Sequence, residues 1–148
     1  MPAIEWLLVA CATDARIFQR ERGSPMVQVA SFSHPEGRLR AHELGDDRPG
    51  RERADRAFGG MAYAPRQDAH HREHLRFARE LAEQLEHGAR EHAYGSLLVL
   101  AGSPFLGEIH KAMGEHARRL LKASLPLNLC HLGQDEIERR VQREFASA

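Results

Sequence analysis

YGSLLVLAGSPFLGEI, residues 94–109, is the stretch that decides the fold. Its first half, Tyr94–Ala101, is apolar without alternation, the composition of a central strand buried on both faces. Its second half turns at Gly102–Pro104 and continues with apolar residues at helical spacing. These are Leu106, Ile109, Met113, Ala117, Leu120 and Leu121, with Gly114 placed to interrupt the helix. A buried strand that passes straight into a helix is half of a crossover, so parallel neighbours are expected beside it.

Working outward, SLPLNLCHL predicts a last strand over Leu125–Cys130, and Ile137, Val141 and Phe145 predict a terminal helix over Gln134–Phe145. Upstream, Leu75, Ala78, Leu81, Ala82 and Leu85 form one apolar stripe on an amphipathic helix. Asp68 is its expected N-cap and Gly88 stands near its expected end. Three N-terminal segments, Ile4–Ala10, Ala15–Arg20 and Met26–Phe32, read as strands joined by connections short enough for an antiparallel meander. HPEGR, His34–Arg38, ends the third. The expected fold is α/β: one domain over residues 1–148, with a mixed sheet of about five strands flanked by helices. At 148 residues a single core suffices, and 42% hydrophobic with 28% charged content argues against wholesale disorder.

Composition also narrows function. Twenty-one basic and twenty-one acidic residues cancel, so neither DNA nor an anionic membrane is indicated by global charge, and only local patches can bind polyanions. The apolar run near the N-terminus is too brief to span a bilayer, and Glu5 stands where a secretory signal would want positive charge. A cytoplasmic location is therefore expected. Cys11 and Cys130 have neither zinc nor CxxC spacing, and the expectation is two buried, reduced thiols.

Three stretches carry candidate chemistry. The first, DDRPGRERADRAFGGMAYAP at residues 46–65, belongs to an aperiodic passage expected to be a loop from about residue 39 to 67. Its Arg48, Arg51, Arg53 and Arg56 suit phosphate oxygens, and Gly50, Gly59 and Gly60 permit close backbone approach. Asp46, Asp47, Glu52 and Asp55 are interleaved, and a solvated loop of local ion pairs is the plainer reading. The second is DAHHREH, where His70 and His74 stand at metal-ligand spacing with His71, Asp68 and Glu73 nearby; exposed histidines on a helix are the plainer reading. The third is GSPFLG, a strand-to-helix turn where Ser103, Phe105 and Gly107 could meet a ligand at the carboxyl edge of the sheet. It lacks the lysine of a P-loop and the glycine spacing of a dinucleotide site.

WLLVACATDARIF (residues 6–18), FSHPEGR (32–38), ELGDDRPGR (43–51), FARELAEQL (77–85) and LLVLAGSPFLGEI (97–109) occur in this order along the chain. Together they resemble the bacterial host attachment proteins, the family required for attachment to host cells. The family's usual Asp or Asn after the first strand is Cys11 here, and its usual Pro-Pro before an aromatic-Leu-Gly is Ser103-Pro104. That family is similar to the middle domain of archaeo-eukaryotic release factors, whose Gly-Gly-Gln tripeptide promotes hydrolysis of peptidyl-tRNA. Here Gly59-Gly60-Met61 stands in the corresponding place. A glutamine amide can donate and accept around a reacting water, whereas a thioether is only a weak acceptor.

The resemblance therefore implies a non-catalytic domain that binds ribosomal RNA or tRNA through Arg48–Met61, without hydrolysis and without a cofactor. The alternatives are an attachment-related protein acting through protein contacts and a small metal-dependent hydrolase built on the histidines.

Overall fold

A computed structural model describes residues 3–34 and 59–145, with side chains left undescribed at 59–68 and 70. The sheet is mixed and five-stranded, in the order β3-β2-β1-β4-β5. Its strands are β1 (Ile4–Ala10), β2 (Asp14–Glu21), β3 (Val27–Ser33), β4 (Ser96–Ala101) and β5 (Leu121–Leu125). The helices are α1 (Gly59–Arg90), α2 (Phe105–Ala112), α3 (Glu115–Leu120) and α4 (Gln134–Phe145). The expected meander is present: β1 pairs antiparallel with β2, and β2 with β3. The expected crossovers are present too, β1 pairing parallel with β4 and β4 with β5.

Period-two geometry divides the unbroken apolar strands between two cores. Leu8, Ala10, Ile17, Leu97, Val99 and Ala101 face α1, α2 and α3. Leu7, Val9, Phe18, Leu98 and Leu100 face Ile137 and Val141 of α4. Both layers are sealed, which is why β1 and β4 show no alternation in sequence.

Two elements differ from the sequence expectation. α1 begins at Gly59 rather than at Asp68, so residues 59–67 are helical and Asp68 is an interior position instead of a cap. Pro65 lies within it, and because proline brings no backbone N–H, the pattern points to a start beyond it. The remainder of the expected loop, up to residue 58, falls outside the described residues. The last strand is Leu121–Leu125 instead of Leu125–Cys130, and Leu121 opens it rather than lying on a helix face. Pro126 ends the ladder because it cannot donate to it, while Leu127 and Leu129 imitate strand spacing in a loop that packs on the α4 side. Gly114 does interrupt the predicted helix, separating α2 from α3.

Glycine has a packing reason at two positions on the α1 side. A Cβ at Gly88 would stand 2.7 Å from the Trp6 ring. That ring stacks on Tyr94 at 4.6 Å, and the Tyr94 hydroxyl donates to the Leu85 carbonyl at 2.6 Å. A Cβ at Gly114 would run into the Glu86 carboxylate. Glu86 sits there because it caps α3 from α1, accepting from Ala117 N–H at 3.0 Å, His116 Nδ1 at 2.7 Å and His116 N–H at 3.4 Å.

The Ala117 N–H and then the His116 contacts hold the Glu86 carboxyl below its ordinary range, against the effect of burial. A depressed folded-state pKa gives stability that is complete above the unfolded value and lost as pH falls through the folded one. Glu86→Gln should therefore lower unfolding free energy by about 1–2 kcal/mol at neutral pH, the range of a lost helix cap. The gap between variant and parent should close in urea titrations below about pH 4. A gap independent of pH would contradict the capping role.

Candidate functional site

β1, β4 and β5 run parallel, and β3 shares their direction because two antiparallel pairings separate it from β1. Their carboxyl ends therefore meet on one edge, where open α/β sheets collect ligands. On that edge a cleft of about 180 Å³ is lined by Cys11 and Ala12 after β1, Gly102–Phe105 after β4, Glu108 of α2, Asn128 after β5, and His71 and His74 of α1. α1 runs antiparallel to β1 and β4: its later turns, near Gly88, pack on Trp6, and its earlier turns reach the cleft.

Phe105, which lines the cleft, is backed by aromatic stacking. Phe105, the first residue of α2, stacks on Phe77 of α1 at 5.9 Å, and Phe77 stacks on His34 at 5.2 Å. His34, just past the end of β3, bonds through Nε2 to Glu73 Oε1 at 2.8 Å, with both side chains buried. The His34 backbone N–H donates to the Thr13 carbonyl at 2.8 Å. These contacts tie the end of β3, the β1–β2 turn, α1 and α2 to one another around the cleft.

A second anchor holds the loop after β5. Arg16 donates through Nη2 to the Cys130 carbonyl at 3.0 Å and the Leu132 carbonyl at 2.8 Å. Asn128 Oδ1 accepts from the Cys130 N–H at 3.2 Å. Cys11 and Cys130 are half-buried free thiols, so the expectation of two buried cysteines fails on burial. Donation from the Cys130 thiol, together with the Thr13 and Asp14 backbone N–H groups, holds Cys11 down to about 5 against the opposing effect of burial. The bond to Cys11 and burial push Cys130 up.

The sequence-derived site residues are thus distributed unevenly. Ser103 and Phe105 line the cleft, whereas a side chain at Gly107 would meet open space. His74 lines it together with His71, and the His70 side chain lies outside the described residues. Among the described residues no group of three or more His, Cys, Asp or Glu could hold a metal ion. Gly59, Gly60 and Met61 form the first turn of α1 rather than a loop. Arg48, Gly50, Arg51, Arg53 and Arg56 fall outside the described residues. Cys11, Asn128 and His34 were not singled out as site residues by the sequence, and Glu73 was named only as an assistant to the histidine cluster. The one signal for them was Cys11 at the carboxyl end of a buried strand.

The fold and cleft define an open, mixed α/β domain with its concave face at the carboxyl ends of its parallel strands. A family model described as "Protein required for attachment to host cells" matches residues 6–141, and the chain belongs to that family. Comparison with curated proteins finds no match. Among the described residues no helix is long and apolar enough to cross a membrane.

Glu73 supplies the buried 2.8 Å bond to His34 and an ion pair to Arg76 at 3.7 Å, and its removal takes both away. Glu73→Ala should destabilise the domain by about 3–5 kcal/mol, measured by urea unfolding. A loss below about 1 kcal/mol, the scale of a surface pair, would show that the His34 contact does not brace the cleft.

Proposed function

We propose that this host-attachment-family domain is a non-catalytic cytoplasmic RNA-binding module that meets ribosomal RNA or tRNA with its carboxyl-edge face. The observation that carries the reading is where the arginine-rich passage joins the fold. The chain leaves the sheet at His34, on the cleft edge, and returns as α1, whose His71 and His74 line the cleft. Arg48, Arg51, Arg53 and Arg56 lie between those two points in sequence. At 1.5 Å per residue, residues 59–70 carry the helix axis about 18 Å beyond His71. Gly59 and Gly60 belong to the first turn of that helix and add no side chain between its backbone and a phosphate.

Guanidinium forks provide the phosphate contacts, and the cleft between His71, Ser103 and Asn128 offers polar groups to an unpaired base or RNA end. Met61 stands where the release-factor motif has a glutamine, so the module binds peptidyl-tRNA or rRNA without hydrolysing the ester.

The test is binding of purified protein to total tRNA and rRNA across a salt series. The parent should bind with a clear salt dependence. Replacing Arg51, Arg53 and Arg56 together with Glu should weaken binding about tenfold or more and flatten the log–log salt slope by about 0.7 for each phosphate that is no longer neutralised. Equal affinity of parent and variant, or affinity indifferent to salt, would refute the reading.

A further inference from the structure

Cys11 and Cys130 lie far apart in sequence, and the fold brings them together beside the cleft: the Asp14 carbonyl that accepts from the Cys11 N–H at 2.8 Å also accepts from the Cys130 thiol at 3.4 Å, and each thiol shifts the other's titration. Their surroundings differ in kind. The Cys130 sulfur faces acceptors, the Asp14 carbonyl at 3.4 Å and the Val9 carbonyl at 3.9 Å, so its proton is held. The Cys11 sulfur lies 3.7 Å from the Thr13 hydroxyl of the β1–β2 turn, and its proton is the more readily lost of the two. That turn is itself pinned, since the Cys11 N–H donates to the Asp14 carbonyl at 2.8 Å and the Thr13 hydroxyl donates to Asp14 Oδ2 at 2.8 Å. Access differs as well: Cys11 lines the cleft, while Cys130 borders a separate hollow against Arg16 and Phe32.

We propose that Cys11 and Cys130 form a hydroperoxide-reactive dithiol, in which Cys11 is the attacking sulfur reached through the cleft and Cys130 is the resolving one. The Cys11 thiolate attacks one oxygen of a hydroperoxide. A sulfur–oxygen bond forms, the O–O bond breaks, and the leaving alkoxide or hydroxide takes a proton from solvent. Sulfur is oxidised by two electrons to a sulfenic acid, and the peroxide is reduced to an alcohol or water. The Cys130 sulfur then attacks the sulfenic sulfur; the S–S bond forms, the S–OH bond breaks, and the hydroxide departs as water with the Cys130 proton. Two equivalents of a small thiol restore the dithiol by exchange, leaving as their own disulfide. Arg16 holds the loop that carries Cys130 against β2 throughout, through the Cys130 and Leu132 carbonyls.

This dithiol is independent of the RNA reading and stands or falls by chemistry on the two sulfurs. Reduced full-length protein is treated with substoichiometric hydrogen peroxide at neutral pH, followed by intact mass and peptide mapping. The parent should lose two hydrogens and yield a Cys11–Cys130 cross-linked peptide. Cys130→Ser should accumulate a dimedone-reactive sulfenic acid at Cys11, and Cys11→Ser should stay unoxidised at the same dose. With limiting iodoacetamide, the parent should alkylate at Cys11 about ten times faster than at Cys130. The proposal is overturned if Cys130 is the faster thiol, if Cys11 over-oxidises without cross-linking, if the only disulfides join two molecules, or if neither thiol reacts.

Discussion

The parallel pairing of β1 with β4, running in register from Glu5 opposite Ser96 to Ala10 opposite Ala101, is the constraint on which the rest depends. Parallel strands finish on the same edge, so this pairing brings Cys11 beside Gly102 and opens the cleft between them. The pair is stable only if both faces are covered, because β1 and β4 place leucine and valine on each side. α1, α2 and α3 cover one face and α4 the other. The site is thus a consequence of burial. Its walls are the turns that must follow two sealed strands.

α1 converts that edge into a defined surface by being secured at its middle and near its carboxyl end. Near its carboxyl end, Gly88 admits the Trp6 ring and Glu86 caps α3, fixing the helix along the sheet. Nearer the cleft, Glu73 and Phe77 meet His34, and Phe77 meets Phe105. With 32 residues, about 48 Å at 1.5 Å each, α1 is roughly twice as long as a seven-residue strand, so it must extend past the sheet. It extends on the side where the arginine-bearing passage joins it.

Most of the architecture was legible because apolar patterning reports burial directly. Ile4–Ala10 and Tyr94–Ala101 announced strands covered twice, and the short N-terminal connections announced the meander. The misplacements have local causes. Pro65 hid a helix start, since intrinsic preference opposes what the fold adopts there. Leu125, Leu127 and Leu129 alternate as a strand would, yet Pro126 closes the ladder directly after Leu125. Of the site, GSPFLG was readable as a strand-to-helix turn because its position on the carboxyl edge follows from topology. The meeting of Cys11 with Cys130, and of His34 with Glu73, joins distant parts of the chain. Neither pairing leaves a spacing signal, and the lack of zinc or CxxC spacing marked both cysteines as inert.

Membership of the host attachment family accounts for the motifs in order along residues 6–141 and leaves the ligand to be identified from the domain's own surface. The central claim is that the cleft and the start of α1 form one RNA-facing surface on the carboxyl edge of the sheet. The most direct measurement is an amide NMR titration of the isotope-labelled protein with a short single-stranded RNA. The account predicts shifts gathered at residues 11–13, 59–74, 102–105 and 128–130, with β3, the outer face of α4 and the α3–β5 junction unmoved. Shifts confined to those latter elements, or none at RNA concentrations in large excess over protein, would contradict it.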